Sequence, residues 1–144
     1  MWYNSIISWL LRSPLHGILS KNMLILSFTG RKSGKLYSTP VNYIRMVDED
    51  GAYLLTTSLQ TRNWWRNLRG GATVSVVLQG KTHQAQAVVF EEPAQVANYL
   101  TALFQVAPQY ARYYQVSPDT NGIVSPEVVE QAAQERVIIR TMLQ

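Results

Sequence analysis

The segment of residues 29–35, Thr-Gly-Arg-Lys-Ser-Gly-Lys, constrains the fold of this chain more than any other. It lies between an apolar run at 23–28 and a second strand-like run at 36–46. Its two glycines let the backbone approach a ligand closely, and its three cations and two hydroxyls suit an anion such as phosphate. It is not a Walker A loop, because the glycines are one residue too close together and Leu36 follows the last lysine. The segment is either an anion-binding turn or a solvated basic hairpin turn.

Charge is distributed unevenly along the 144 residues. Ten basic and three acidic side chains occur up to Lys81, whereas three basic and six acidic ones follow it. A basic first half attracts phosphates, polyanionic cofactors, nucleic acid or anionic lipid. Nucleic acid is the weaker candidate, because no recognised binding motif is present and the basic residues do not lie on one helix. We therefore expect no nucleic-acid partner.

The composition disfavours several kinds of catalytic site. The chain has no cysteine, so a disulfide, a thiolate nucleophile and a cysteine metal site are excluded. Its two histidines, His16 and His83, are far apart in sequence, so we expect no metal site. Ser58 lies outside any Gly-x-Ser-x-Gly motif, which argues against a hydrolase nucleophile.

Short hydrophobic runs separated by turn residues predict five or six strands, mostly in hairpins. The predicted strands are residues 23–28, 36–46, 52–58, 73–78, 82–90 and 136–140. Pro40 falls inside the second of them and indicates an edge position or a bulge. Helical patterns occur at about 2–20, at 63–69 before Gly70-Gly71, and over about 94–134 with a break at Pro108. We predict a single domain over residues 1–144, mainly β with flanking α-helices (α+β), built on a small antiparallel barrel.

The predicted N-terminal helix has an aromatic face. Trp2, Ile6, Trp9 and Leu10 share one side of it. This side either packs against the domain, which we favour, or rests on a membrane surface. No apolar run is long enough to span a bilayer, and no secretory signal is expected. We therefore expect a cytoplasmic protein, with peripheral membrane association as the alternative.

Several motifs, in this order and spacing, resemble the deazaflavin-dependent nitroreductase family. They are the 29–35 segment, Thr-Pro-Val-Asn-Tyr at 39–43, Leu-Thr-Thr-Ser at 55–58, Trp-Trp-Arg-Asn-Leu at 64–68 and Val-Ser-Val at 74–76. That family belongs to the split β-barrel flavin-binding superfamily, which includes the pyridoxamine-phosphate oxidases. The resemblance covers residues 10–90 well, and the tyrosine segment and final strand more loosely. It implies a six-stranded antiparallel split β-barrel and coenzyme F420, a two-electron hydride carrier with a phosphate and a polyglutamate tail.

The resemblance also implies roles for individual residues. It assigns the cofactor's phosphate or tail to Arg31, Lys32 and Ser33. It assigns the deazaflavin ring to Pro40, Val41, Asn42, Tyr43, Thr57, Ser58, Trp64 and Asn67. Tyr110 and Tyr113 would face the substrate, and the catalytic hydroxyl donors would be Tyr113, Ser58 and Tyr110. Without the resemblance, the tyrosine stripe is most simply explained as core packing.

One departure from the family pattern concerns the cofactor. Many members carry a glycine- and lysine-bearing loop before the tryptophan helix, whereas only residues 59–63 intervene here. Arg62 is a candidate replacement for the missing cation. The choice between F420 and flavin mononucleotide (FMN) therefore stays open.

The predicted function is that of an oxidoreductase acting on a small-molecule electron acceptor. It would transfer hydride from reduced F420 to a quinone, a nitroaromatic compound or an activated enone. The alternatives are an FMN-dependent reductase, a non-catalytic carrier of flavin, haem or lipid on the same barrel, and a peripheral membrane module. The protein is expected to be a monomer or a homodimer.

Overall fold

The computed structural model describes residues 23–108 and 125–144. The predicted N-terminal helix, with its candidate membrane face, and Tyr110 and Tyr113 lie outside these ranges. The described strands are β1 Met23–Thr29, β2 Leu36–Asn42, β3 Ile44–Asp48, β4 Gly51–Leu59, β5 Ala72–Leu78, β6 Lys81–Phe90 and β7 Arg136–Leu143. The helices are α1 Pro93–Val106, α2 Pro126–Ala133 and a short 3₁₀ helix Trp64–Leu68.

All seven described strands form one antiparallel sheet in the order β2-β1-β5-β6-β7-β4-β3. The two edge strands, β2 and β3, are separated in sequence by Tyr43 alone. Because one residue joins the opposite edges, the sheet must curl until the end of β2 reaches the start of β3. The result is the predicted split barrel, and the split lies between β2 and β4.

The prediction of six strands was wrong by one. Residues 36–46 were predicted as one strand, but the chain divides there into β2 and β3. The first part pairs with β1 and the second with β4, so the chain changes partner at Tyr43. The other five predicted strands begin within one residue of their observed starts.

Pro40 occupies the edge position that its lack of an N–H requires. It lies in β2, which pairs with β1 on one side only, and Pro40 stands opposite Ile25. A proline has no N–H with which to donate a hydrogen bond to a neighbouring strand. An edge strand tolerates this, because its outer side has no neighbouring strand to bond.

Two hydrophobic clusters lie on the two faces of the sheet. The barrel interior takes alternate residues from most strands together with the 3₁₀ helix, including Leu24, Leu26, Phe28, Leu54, Trp65, Leu68, Val74, Val76, Val137 and Ile139. The outer cluster joins α1 and α2 to β3, β4 and β7, and includes Met46, Tyr53, Leu55, Val96, Leu100, Leu103, Val129 and Ile138. Neighbours such as Leu54 and Leu55 face opposite clusters, as the two-residue period of a strand requires.

The helix ends follow their sequence signals. Helix α1 has proline in its first turn and ends before Pro108. Helix α2 begins after Ser125, whose Oγ accepts a hydrogen bond from the Val128 N–H at 3.4 Å. No described helix is long and apolar enough to cross a membrane.

Candidate functional site

A cavity of about 470 Å³ opens in the split between β2 and β4. Its lining comes from both strands, the chain that joins β2 to β3, the loop after β4, helix α1 and the start of β7. The lining residues are Thr39, Pro40, Val41, Asn42, Tyr43, Ile44, Leu55, Thr57, Ser58, Leu59, Arg62, Trp64, Leu103 and Arg136. The cavity also lies where the two hydrophobic clusters meet, since Tyr43 belongs to the inner one and Leu103 to the outer one.

The lining combines apolar and polar surface, with somewhat more polar than apolar area. Eight of its residues are aliphatic or aromatic, and Thr39, Asn42, Thr57 and Ser58 contribute hydroxyl and amide groups. Arg62 and Arg136 add positive charge, and no carboxylate is among the described lining residues. Such a surface suits a flat, largely apolar ring with polar edges and negative charge.

Seven of the residues that the resemblance assigned to the ring line this one cavity. They are Pro40, Val41, Asn42 and Tyr43 beside the edge strand β2, Thr57 and Ser58 on β4, and Trp64. The curling of the sheet brings these three sequence segments together. Their contact with a ring stays a prediction.

The adjacent tryptophans of the 3₁₀ helix point in different directions. Trp65 is 2% exposed and its Nε1 donates to the Leu59 carbonyl oxygen at 3.2 Å. Trp64 lines the cavity and packs at a tilt against Phe28, with 6.2 Å between ring centroids. The helix ends at Leu68 and is followed by Gly70 and Gly71, whose φ angles of +80° and +90° only glycine adopts readily.

Asn67, also assigned to the ring by the resemblance, does not line the cavity. Its Oδ1 accepts a hydrogen bond from the Arg31 backbone N–H at 3.0 Å, and its Nδ2 donates to the Trp64 carbonyl oxygen at 3.0 Å. Both ends of this amide are therefore engaged within the protein. Asn67 joins the basic turn to the helix that carries Trp64.

The basic turn is held in a closed shape by its own backbone. The Gly30 N–H donates to the Lys35 carbonyl oxygen at 2.8 Å, and the Gly34 N–H donates to the Gly30 carbonyl oxygen at 2.9 Å. A Cβ on Gly30 would lie 2.5 Å from Cε2 of Tyr37, so the Tyr37 ring would have to move if residue 30 carried a side chain. The Tyr37 hydroxyl is in turn 3.0 Å from Ser33 Oγ.

Arg31, Lys32 and Ser33 are exposed on this turn and do not line the cavity. Within the described part of the chain, Lys32 and Lys35 make no ion pair. The turn therefore presents cations to solvent beside the cavity. This exposure is compatible both with an anion-binding turn and with a solvated basic hairpin turn.

Of the three predicted hydroxyl donors, only Ser58 lies in the described part of the chain, and Tyr43 adds a second hydroxyl to the cavity lining. Ser58 is 6% exposed, and its Oγ donates to the Leu59 carbonyl oxygen at 3.2 Å. Burial raises the pKa of the Tyr43 phenol, and the nearby Arg45 charge partly offsets this. Tyr43 therefore carries its proton at neutral pH and is a hydrogen-bond donor. Tyr110 and Tyr113 lie outside the described residues.

Sequence reasoning did not assign six of the lining residues. These are Thr39, Ile44, Leu55, Leu59, Leu103 and Arg136. The alternation of β4 carries a signal for two of them, since Leu55 and Leu59 share a face with Thr57. Leu103 and Arg136 have no local signal, because only tertiary packing brings α1 and β7 to the split.

Metal ligands are not clustered in the part of the chain that the structure describes. No three histidine, aspartate or glutamate side chains come together there in a way that could hold an ion.

Among solved structures, a conserved hypothetical protein from Mycobacterium tuberculosis aligns with 97% of this chain and 79% of its own, at 17% identity and a TM-score of 0.50. A protein of unknown function from Agrobacterium tumefaciens aligns with 93% of this chain and 58% of its own, at 15% identity and a TM-score of 0.50. An F420-H2 dependent reductase aligns with 83% of this chain and 94% of its own, at 18% identity and a TM-score of 0.45. The first two show a shared fold.

The sequence itself gives the family. No curated protein matches it significantly. The family model described as F420H(2)-dependent quinone reductase matches residues 13–127, which is most of the chain. The predicted resemblance to a deazaflavin-dependent family is thereby confirmed. The chain belongs to the F420H(2)-dependent quinone reductase family.

Proposed function

We propose that this protein reduces a quinone, or an acceptor of similar electron demand such as a nitroaromatic compound or an activated enone, with hydride from reduced F420. The observation that carries the proposal is the cavity in the split, because it is lined by seven of the eight residues that the family resemblance assigns to the cofactor ring. The description of the family supports a quinone as the acceptor.

The residues of the cavity fit F420. Its volume of about 470 Å³ lies within the range of roughly 300–1,000 Å³ usual for small-molecule sites. Trp64 and Pro40 offer apolar surface to a planar ring, while Asn42 and Thr57 offer hydrogen bonds to its polar edges. Beyond the cavity, the exposed Arg31 and Lys32 suit a phosphate or a carboxylate-rich tail. When bound, F420 supplies the hydride.

The protein's own contribution is positioning and stabilisation of charge. The cavity walls hold donor and acceptor in contact. Reduction leaves negative charge on the acceptor oxygen, which fixed hydrogen-bond donors stabilise. Tyr43 and Ser58 line the cavity and carry hydroxyl protons, although Ser58 must turn away from the Leu59 carbonyl to donate. Tyr113 and Tyr110 are the donors that the resemblance adds.

The test is a titration of the purified protein with F420 and with FMN side by side, followed by turnover with reduced F420 and a quinone. We expect tighter binding of F420, because a cluster of cations favours its longer anionic tail. Equal or reversed affinities would contradict the choice of cofactor. Tight F420 binding without reduction of any quinone, nitroaromatic or enone acceptor would favour the carrier alternative.

A further inference from the structure

Three aromatic rings form a row that runs from the basic turn to the cavity. The ring of Tyr37 stacks on that of Phe28, with 6.1 Å between centroids and 29° between planes. The ring of Phe28 packs in turn against that of Trp64, with 6.2 Å between centroids and 36° between planes. Trp64 lines the cavity, whereas Phe28 and Tyr37 do not. Phe28 therefore lies behind a residue of the cavity wall.

Phe28 is the most buried of the three. It lies near the end of β1, which has β2 on one side and β5 on the other, and it is 4% exposed. Tyr37 belongs to the edge strand and is 45% exposed, and Trp64 is half-buried at the start of the 3₁₀ helix. A side chain inside a packed core has little room to move, because neighbouring atoms fill the space around it. Phe28 is therefore the fixed support on which the ring of Trp64 packs.

Two contacts hold different parts of Trp64. Asn67 Nδ2 donates to the Trp64 carbonyl oxygen at 3.0 Å, which fixes the main chain but does not restrict the side-chain torsions. The contact with Phe28 acts on the ring itself. Aromatic rings with centroids roughly 4.5–7 Å apart attract each other beyond the effect of burial alone. The orientation of the Trp64 ring therefore depends on the side chain at position 28.

We propose that Phe28 is a positioning residue for the cofactor ring, and that it acts by holding the Trp64 ring in the cavity wall. The inference rests on the proposed function, and it adds a residue that does not itself line the cavity. A planar ligand binds more tightly to a wall that is already in place, because ordering a mobile side chain costs free energy on binding. A smaller side chain at position 28 leaves a space into which Trp64 moves, and the cofactor ring then binds less tightly.

The first measurement needs no ligand. Near-ultraviolet circular dichroism reports how rigidly aromatic rings are held, and Phe28→Leu should change the tryptophan bands of the spectrum. Because this change arises at Trp64, the same substitution in a Trp64→Leu background should alter these bands much less. Phe90→Leu is the matched control, since Phe90 packs against Tyr99 beside the outer cluster and does not line the cavity. It should leave the tryptophan bands like those of wild type.

The second measurement is the affinity for F420 and for its deazaflavin ring without phosphate or tail. Phe28→Leu should weaken both about threefold to tenfold and to the same extent, because the wall contacts the ring and not the tail. In the Trp64→Leu background the same substitution should change both affinities less than about twofold. Phe28→Met, which removes the ring but keeps much of its volume, is the second variant and should act in the same direction. Phe90→Leu should leave both affinities within about twofold of wild type.

The outcomes separate this proposal from the proposed function. An affinity for the deazaflavin ring that stays unchanged in folded Phe28→Leu and Phe28→Met would overturn the role of Phe28. A loss of affinity that is equally large with and without Trp64 would also overturn it, because Phe28 would then act on the fold in general. Ring binding that depends on Phe28 through Trp64, in a protein that reduces no quinone, nitroaromatic or enone, would support the positioning role and reject the proposed function. A wild type that binds no deazaflavin would reject both.

Discussion

The Arg31 backbone N–H donates to Asn67 Oδ1 at 3.0 Å, and the Arg31 Nε donates to the Asn67 carbonyl oxygen at 3.1 Å. The same Asn67 side chain donates to the carbonyl oxygen of Trp64, which lines the cavity. One residue therefore connects the basic turn with the wall of the cavity. A ligand that contacts both would find them held at a fixed separation.

We predict that Asn67→Ala lowers F420 affinity although Asn67 does not line the cavity. The variant removes two side-chain hydrogen bonds, each contributing about 0.5–1.5 kcal/mol to stability. We expect a fall in unfolding free energy of about 1–3 kcal/mol and a weaker F420 titration, because the turn is no longer fixed to the helix. Asn63→Ala is the control, since the Asn63 side chain makes no capping hydrogen bond to this helix. Reduced stability with wild-type F420 affinity would show a purely structural role.

A second prediction concerns the cations of the turn. Arg31→Ala combined with Lys32→Ala should weaken F420 binding by roughly 2–4 kcal/mol, since each charged hydrogen bond contributes on the order of 1.5–3 kcal/mol. Wild-type binding should also weaken as salt is added, and that dependence should be smaller in the double variant. Titrations at two salt concentrations measure both effects. Lys81→Ala is the control, because it removes a cation at the start of β6, outside the turn. Wild-type affinity in a folded double variant would identify the turn as a solvated hairpin.

Most of the fold could be predicted because its signals are local. The apolar run at residues 23–28 is encoded by neighbouring residues, and Pro40 indicated an edge position or a bulge for its strand. The division at Tyr43 could not be predicted, because the residues on either side of it are equally suited to a strand. What separates them is the change of partner from β1 to β4, which only the closed sheet imposes.

The residues of the candidate site likewise divide into those with a local signal in the sequence and those without one. Pro40 to Tyr43, Thr57, Ser58 and Trp64 were found because they belong to contiguous motifs whose order resembles a known family. Leu103 and Arg136 were missed because they reach the cavity from distant elements. Asn67 was assigned to the ring from its place in a motif, whereas its hydrogen bonds connect the turn to the helix.

A third prediction concerns acid stability and the partly buried ion pair between Arg140 and Asp48. Arg140 donates to both carboxylate oxygens of Asp48, donates to the Tyr99 hydroxyl at 3.1 Å and lies 4.1 Å from the centre of the Tyr53 ring. The hydrogen bonds from Arg140 hold the pKa of the Asp48 carboxyl below its usual value. A depressed carboxyl pKa stabilises the fold above the unfolded pKa of about 4, and that contribution is lost as pH falls through the folded value.

We therefore expect Asp48→Asn to lower the Tm at pH 7 and to flatten its decline below pH 4. Thermal unfolding followed by circular dichroism from pH 2 to 7 measures both. Glu49→Gln is the control, because it removes the charge of an exposed carboxylate in the adjacent position. Its pH profile should stay close to that of wild type. Parallel pH profiles for wild type and Asp48→Asn would mean that this ion pair contributes nothing to acid stability.

A fourth prediction concerns Tyr113, the donor that the family resemblance places near the acceptor. Tyr113→Phe should cut turnover by about 10²–10³, the usual effect of removing one well-aimed donor, and leave F420 affinity almost unchanged. Tyr114→Phe, predicted to lie on a different helix face, is the matched control and should have little effect. Unchanged turnover in both variants would assign the tyrosine stripe to core packing.

The last prediction tests Ser58 as the second donor. Ser58 lines the cavity, but its Oγ donates to the Leu59 carbonyl oxygen, so the hydroxyl must rotate to reach an acceptor oxygen. If it does, Ser58→Ala lowers kcat by about 10²–10³ while the F420 affinity stays near that of wild type, because charge develops only during reduction. Ser75→Ala is the control, since Ser75 lies on β5 outside the cavity and its Oγ accepts a hydrogen bond from Gln84 at 3.0 Å. A loss of about 1 kcal/mol of stability with unchanged kcat would show instead that the Ser58 hydroxyl only stabilises the end of β4.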